Sequence, residues 1–167
     1  MRRNASAKPR IVGIEDGSFT KETPKALLVA VLMNDGRWID DIKISEITVD
    51  GLDATATTLQ MLKDWKFDAI MLAGVSYAGF NLIDPTELAE NFQKPIIIVS
   101  RTKPDNLAVK RALKEHFEDW KIRWQAFEAL GPIYQFKPLR NEPPIYFEVV
   151  GAEAEWAMRT IKAFCFS

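Results

Sequence analysis

The sequence predicts an α/β fold built on one mixed sheet, its first part antiparallel and its second part parallel, with helices on both faces. Two observations predict it. Within the first fifty residues, three apolar segments are separated by turn residues, the pattern of an antiparallel meander. From Asp53 onward, stretches of helical spacing alternate with short, continuously apolar runs, which is how parallel strands buried on both faces and joined by crossover helices read.

Arg10 to Asp16 is a short apolar strand that ends in two carboxylates and the turn residues Gly17 and Ser18. Lys25 to Met33 is apolar on both faces and suits a central strand, and Asn34-Asp35-Gly36 is a hairpin turn. Arg37 to Val49 reads as a half-buried third strand whose alternation stumbles at Asp40-Asp41, which predicts a bulge. Asp53 to Trp65 then places Met61, Leu62 and Trp65 on one helical face, and Phe67 to Ala73 is a buried strand. Asp84-Pro85-Thr86-Glu87 is a helix start with a capping acid and proline at the first position. Pro95 to Ser100 is another buried strand, and a helical stripe from Val109 through Phe117 continues over Trp120, Trp124 and Phe127 to Gly131. An extended Ile133 to Phe136, a strand from Ile145 to Val150 and a helix from Ala152 to Phe164 complete the chain.

Composition narrows the chemistry. The 167 residues carry 22 Lys and Arg against 23 Asp and Glu, with 47% hydrophobic residues, so the chain can bury a core and is not a disordered polyelectrolyte. A single cysteine, Cys165, permits neither an internal disulfide nor a thiolate zinc site and reads as an apolar filler; a single histidine, His116, excludes sites needing two imidazoles and reads as a partly buried ring. No apolar stretch reaches the roughly 18 residues of a membrane span, and Met1 to Lys8 lacks the apolar region of a signal peptide, so no membrane partner is expected and the location is expected to be cytoplasmic. Residues 1–9 read as a flexible basic tail ahead of one domain spanning 10–167. The charge is uneven: Arg2, Arg3, Lys8 and Arg10 gather at the start, which leaves the body acidic.

In sheets of this kind, ligands sit beyond the carboxyl ends of the parallel strands. Glu15 and Asp16 follow the first strand, Asp50 and Asp53 the third, Gly74 to Asn81 the fourth, and Arg101 and Lys103 the fifth. Carboxylates converging from separate strand ends can hold Mg²⁺ or Mn²⁺, and a nearby base steadies a phosphate. The loop from Gly74 to Gly79 has phosphate-loop spacing, but Phe80-Asn81 stands where Lys and Ser or Thr belong. Ser76 misses the nucleophile-elbow spacing by one residue, with only His116 to serve as base. Tyr77 and Phe80 either stack on a base or fold back as an apolar lid. Asp53 also reads as a helix cap, Asp50 as a turn residue, and Asp84 as a cap.

Four motifs carry a resemblance. Gly13 to Phe19, Val49 to Thr55, Leu72 to Asp84 and Pro95 to Arg101 together resemble the largely archaeal family called domain of unknown function 99, over nearly the whole chain. That family is in turn similar to endonuclease V, so the resemblance implies a ribonuclease H-like fold and a metal-dependent nuclease that cuts near deaminated bases. Carried over by position, the nuclease's first acid falls on Glu15, with Asp16 beside it. The second falls on Thr57, with Asp53 one helical turn earlier. The third is replaced by Ala73, and the basic residue falls on Arg101. The resemblance implies Glu15, Asp16 and Asp53 as catalytic and metal-holding residues for Mg²⁺ or Mn²⁺, without an organic cofactor. Arg101, Lys103 and Tyr77 are the expected contacts to DNA or RNA. The alternatives are a non-cleaving nucleic-acid-binding module and a protein-interaction subunit using the Trp-rich helix Trp120 to Phe127; the oligomeric state is left open.

Overall fold

The computed structural model describes residues 9–165, without the side chain of Cys165. The expected basic tail thus falls, except for Pro9, outside the described residues, as does the expected packing of Cys165.

Three strands, β1 (Arg10–Asp16), β2 (Lys25–Asn34) and β3 (Trp38–Thr48), form the antiparallel meander. Its β2–β3 ladder pairs Leu32 with Asp41 and Met33 with Ile39, so Asp40 is the extra residue of the expected bulge. The bulge turns Asp40 toward Arg10, and the two pair at 2.9 Å. Helix α1 (Ala54–Leu62) crosses to β4 (Ala69–Leu72), which lies parallel to β1. A two-residue hairpin, β5 (Ser76–Tyr77) and β6 (Asn81–Leu82), stands apart from the main sheet and leads into α2 (Pro85–Phe92). Asp84 caps that helix, accepting from the Thr86 and Glu87 backbone N–H groups at 2.9 and 3.2 Å, as its sequence signature requires.

Strand β7 (Ile96–Ser100) extends the parallel part beside β4. The helical stripe that follows is two helices, α3 (Asn106–His116) and α4 (Trp120–Glu128). The break lies at Phe117, whose extended backbone (φ −134°, ψ 123°) ends α3. Its ring packs edge-on against Phe80 and lies under Arg123. His116, at the end of α3, is exposed rather than partly buried, because the stripe it borders terminates there. The far edge of the sheet returns to antiparallel pairing: β8 (Tyr134–Phe136) and β9 (Ile145–Val150) give the order β3-β2-β1-β4-β7-β9-β8, and α5 (Ala154–Cys165) closes the chain.

Side-chain alternation along the strands separates two cores. Val12, Ile14, Leu28, Ile70, Leu72 and Ile98 face α1 to α4. Ile97, Phe136 and Phe147 face Ala157 and Ile161 of α5. Helices therefore cover both faces, with α5 packed on the β7–β9–β8 half of its face and its last turn against Gly36 in the β2–β3 turn. Over the middle of the meander that face is open, and Ile42 and Ile44 are 49% and 62% exposed.

Leu72, fully buried at the end of β4, is expected to cost about 2–5 kcal/mol when changed to Ala. The exposed Ile44→Ser change should stay within about 0.5 kcal/mol of wild type. Urea titration of both variants checks the assignment of covered and open faces.

Candidate active site at the strand carboxyl ends

The first strand delivers two acids to its tip in opposite directions. Asp16 lies opposite the buried Leu28, and its Oδ2 turns inward to accept from the Ala78 backbone N–H at 2.6 Å. Glu15 lies opposite Val29 on the open face, and its Oε1 accepts from the Asp16 N–H at 3.3 Å. Partial burial, and then the neighbouring Asp16 carboxylate, raise the Glu15 carboxyl above the ordinary glutamate value. These two expected site residues are thus brought together, and each keeps an oxygen outside these bonds.

Asp53 is differently placed. It occupies the N-cap position of α1 without capping by its side chain. Its carboxylate accepts from Thr48 N and Oγ1 and from Asn81 Nδ2, at 3.0, 2.9 and 2.6 Å. Although burial pushes its pKa up, these donors outweigh burial and hold it below the usual aspartate value. The cap itself comes from Asn81, whose Oδ1 accepts from the Ala54 N–H at 2.9 Å. Among the described residues no three His, Cys, Asp or Glu side chains gather into a group able to hold a metal ion. The expected trio of Glu15, Asp16 and Asp53 is therefore not assembled, because Asp53 is engaged by backbone and amide donors. Asp50 is likewise spent locally, in a left-handed turn (φ 54°) with Oδ1 accepting from the Phe80 N–H at 2.8 Å.

The loop after β4 is a buried anchor. Tyr77 is 1% exposed, its hydroxyl donates to the Gly74 carbonyl at 3.2 Å, and burial followed by the Glu15 and Asp16 charges pushes the phenol well above its ordinary value. Of the two expectations for Tyr77, the inward one is seen; its ring is not presented for stacking. Gly79 (φ 84°) is required, since a Cβ there would overlap the Asp50 carboxylate.

Arg101 and Lys103 are exposed in the loop after β7. Arg101 and Glu15 line one open groove of about 570 Å³ whose floor is Gly13, Val29, Val31, Met71 and Val99. Among its lining residues Glu15 is the acid and Arg101 the base.

Three polar residues here escaped the sequence reading. Arg123 is 6% exposed and donates to the Gly51 and Phe80 carbonyls at 2.9 and 2.8 Å, with Asp119 as its ion partner. Its only local signal is the Asp119/Arg123 spacing of four. Asn81 had no such signal. Nor had Glu148, which sits 4% exposed on β9 with a carboxyl pushed up to about 7 by burial.

The strand order and crossovers define a ribonuclease H-like protein with the fold of endonuclease V. The fold matches Ciona intestinalis endonuclease V, seen with DNA containing an inosine followed by a ribo-adenosine, at TM-score 0.59 and 12% identity over 95% of this chain and 79% of that one. Human endonuclease V matches at TM-score 0.60 and 12% identity, over 97% and 78%. The chain belongs to the Endonuclease dU family, whose model matches residues 7–167. Similar members are archaeal: a UPF0215 protein of Methanothermobacter thermautotrophicus is 34% identical over 96% of this chain and 79% of its own length. A crystal structure from Archaeoglobus fulgidus superposes at TM-score 0.80 and 29% identity, over 93% and 86%. The resemblance drawn from the four motifs is thereby shown. No helix among the described residues is long and apolar enough to cross a membrane.

Two outcomes follow from these geometries. Asn81→Ala leaves the Asp53 carboxylate and the Ala54 N–H without their buried partner and should cost about 3 kcal/mol in denaturant titrations. For Glu148, burial means that the folded chain keeps a proton between about pH 4.5 and 7 that the unfolded chain has lost. Stability therefore falls as pH rises through that window. Glu148→Gln should remove this slope and unfold later than wild type at pH 8, by roughly 2–3 kcal/mol, with no gain below pH 4.5.

Proposed function

We infer that this chain is a divalent-metal-dependent endonuclease acting on DNA or RNA that carries a deaminated base. The observation that carries this reading is the groove lined by both Glu15, near the end of β1, and Arg101, just after β7. The family description, Endonuclease dU, points to deoxyuridine, and the DNA held by the Ciona enzyme contains inosine.

Two carboxylates at an exposed strand end fit a hard cation such as Mg²⁺ or Mn²⁺, which is commonly bound by one or two carboxylates with water and substrate phosphate filling the rest. Glu15 and Asp16 would hold it, and when bound it supplies Lewis-acid activation of water and charge neutralisation at the phosphate. The residues themselves do the positioning. Asp16, tied to the Ala78 N–H, fixes the strand end. Arg101, on the groove lining, would meet the phosphate, and Lys103 two residues on adds positive charge. Asp53 acts through structure, holding the start of α1 and Asn81 in place.

A second reading, a nucleic-acid-binding module without cleavage, is favoured by one observation. Position 73, where the fold's third acid would stand, is Ala, and no described carboxylate takes its place. The third reading, docking through the Trp-rich helix, finds less surface than expected: Trp120 and Trp124 pack on the core, with Lys114 and Lys110 over their rings.

Purified protein with Mn²⁺ should nick an oligonucleotide containing one deoxyuridine or inosine and spare the undamaged sequence. Glu15→Ala should lower that rate by roughly a hundredfold or more, and Arg101→Ala should weaken binding and reduce the log–log salt slope by about one. Salt-sensitive anisotropy changes without cleavage at any metal concentration would replace the enzyme with the binding module.

A further inference from the structure

Positive charge is dense over one stretch of this chain, of which the groove takes only the first residue, Arg101. Residues 101–114 carry five Lys or Arg and a single acid, Asp105, in a chain whose formal net charge is −1. Asp105 spends its carboxylate on the Ala108 N–H at the start of α3. Arg101, Lys103, Arg111 and Lys114 are exposed, and Lys110 is half-buried. Among the described residues no carboxylate forms an ion pair with any of the five. Like charges left unpaired at this density repel one another, a cost that a bound polyanion would remove.

The fold lays these bases out in a row. Helix α3 begins five residues past Arg101, and Lys110, Arg111 and Lys114 fall on one of its faces, within one turn of each other. With Leu107, which is 75% exposed, they line a shallow hollow of about 350 Å³. Two of the ammonium groups are held in place by α4: Lys110 lies 4.6 Å from the ring centre of Trp124, and Lys114 4.7 Å from that of Trp120. A cation already seated on an indole face has less side-chain freedom to lose when an anion arrives. The 11 residues of α3 extend about 16 Å, the rise of roughly five nucleotides of one strand. On the meander side of the same sheet edge the balance is reversed, with Glu15, Asp16, Glu46 and Asp50 beside Lys25.

We propose that the outer face of α3 is a phosphate track, which takes the backbone of the single strand flanking the groove on one side only. Arg101 meets the strand where it leaves the groove and Lys103 follows. Lys110, Arg111 and Lys114 then hold neighbouring phosphates along the helix, with Leu107 against a sugar or base. One row of bases fits one backbone rather than the two of a duplex. A linear polyanion also fits better than an acidic patch on a folded partner, because the row continues in chain order from a residue of the groove itself. This assignment rests on the chain acting on nucleic acid, but not on its cutting it.

The test uses the full chain in EDTA, so that no cleavage contributes, and fluorescence anisotropy of single-stranded oligonucleotides bearing one deoxyuridine. A short core strand is lengthened by about five nucleotides, on its 5′ side or on its 3′ side. One of the two extensions should tighten binding by roughly tenfold or more at low salt, and the other by less than about twofold. The triple variant Lys110→Glu, Arg111→Glu, Lys114→Glu should lose that gain and lower the log–log salt slope by about two. It should keep most of its affinity for the core strand, which also shows that it is folded. A second triple variant, Lys63→Glu, Lys66→Glu, Lys94→Glu, changes the net charge equally at exposed positions ahead of β4 and β7, and should keep the gain. Equal gains from the two extensions overturn the assignment, as does a gain that survives the first triple variant or is lost equally in the second. Binding of anionic vesicles or polyglutamate through Lys110, Arg111 and Lys114, with no gain from either extension, overturns it in favour of a membrane or an acidic protein. A one-sided gain that depends on these three residues, together with no cleavage in Mn²⁺, would sink the nuclease reading and leave this one standing; cleavage without such a gain would do the reverse.

Discussion

The carboxyl edge of this sheet depends on one side-chain amide. Asn81 donates to the Thr48 carbonyl and the Asp53 carboxylate and accepts from the Ala54 N–H, so a single buried group joins the end of β3, the start of α1 and the β5–β6 hairpin. Arg123 adds a second clamp from α4, on the Gly51 and Phe80 carbonyls of the same loops. In a low-dielectric setting such bonds strengthen one another, and each loop would carry unpaired backbone groups without them. The tip of β1 gains a rigid frame: the Ala78 N–H that holds Asp16 belongs to the hairpin that Asn81 anchors.

That frame also sorts the acids. Asp16, Asp50 and Asp53 are short side chains beside unpaired backbone N–H groups, and each turns inward to satisfy one. Glu15 points the other way because adjacent strand residues face opposite sides of a sheet. It reaches the open groove for that reason, with its carboxyl raised by burial and by the charge left next door. Carboxylates that look equivalent by chain position thus differ: Asp50 and Asp53 are spent on the edge, Asp16 ties one oxygen to it, and Glu15 lines the open groove.

The groove exists because cover is unequal. Helix α5 packs on Ile97, Phe136 and Phe147, with Met71 at the margin of that cluster, whereas Val29 and Val31 lie outside it, and all three form an apolar floor between an acid and a base. On the opposite face α1 to α4 close over the strands, and a small cavity there is lined by Glu148. Two chemically different surfaces therefore meet at Ser100, one lined by an exposed acid and base, the other by the buried Glu148.

Local pattern was enough to read the meander, its bulge at Asp40, the alternation of helix and strand, the Asp84 cap and the family motifs, because each rests on periodicity or on contacts within a few residues. It also marked Glu15, Asp16 and Arg101 as strand-end groups, since the fold class says where strand ends converge. The division of the helical stripe at Phe117, the inward turn of Tyr77, the commitment of Asp53 to Thr48 and Asn81, and the burial of Glu148 were not readable there. The Asp53 bond to Asn81 spans 28 positions, the Tyr77 contact with Ile14 spans 63, Phe117 packs on Phe80, and Glu148 is buried by packing across β7 and β9. The sequence by itself determined the sheet, its helices and the family; tertiary structure alone decided which carboxylates are spent on holding the edge and which lines the open groove. Side-chain alternation is local, whereas the donors that satisfy an acid come from segments that only folding brings together.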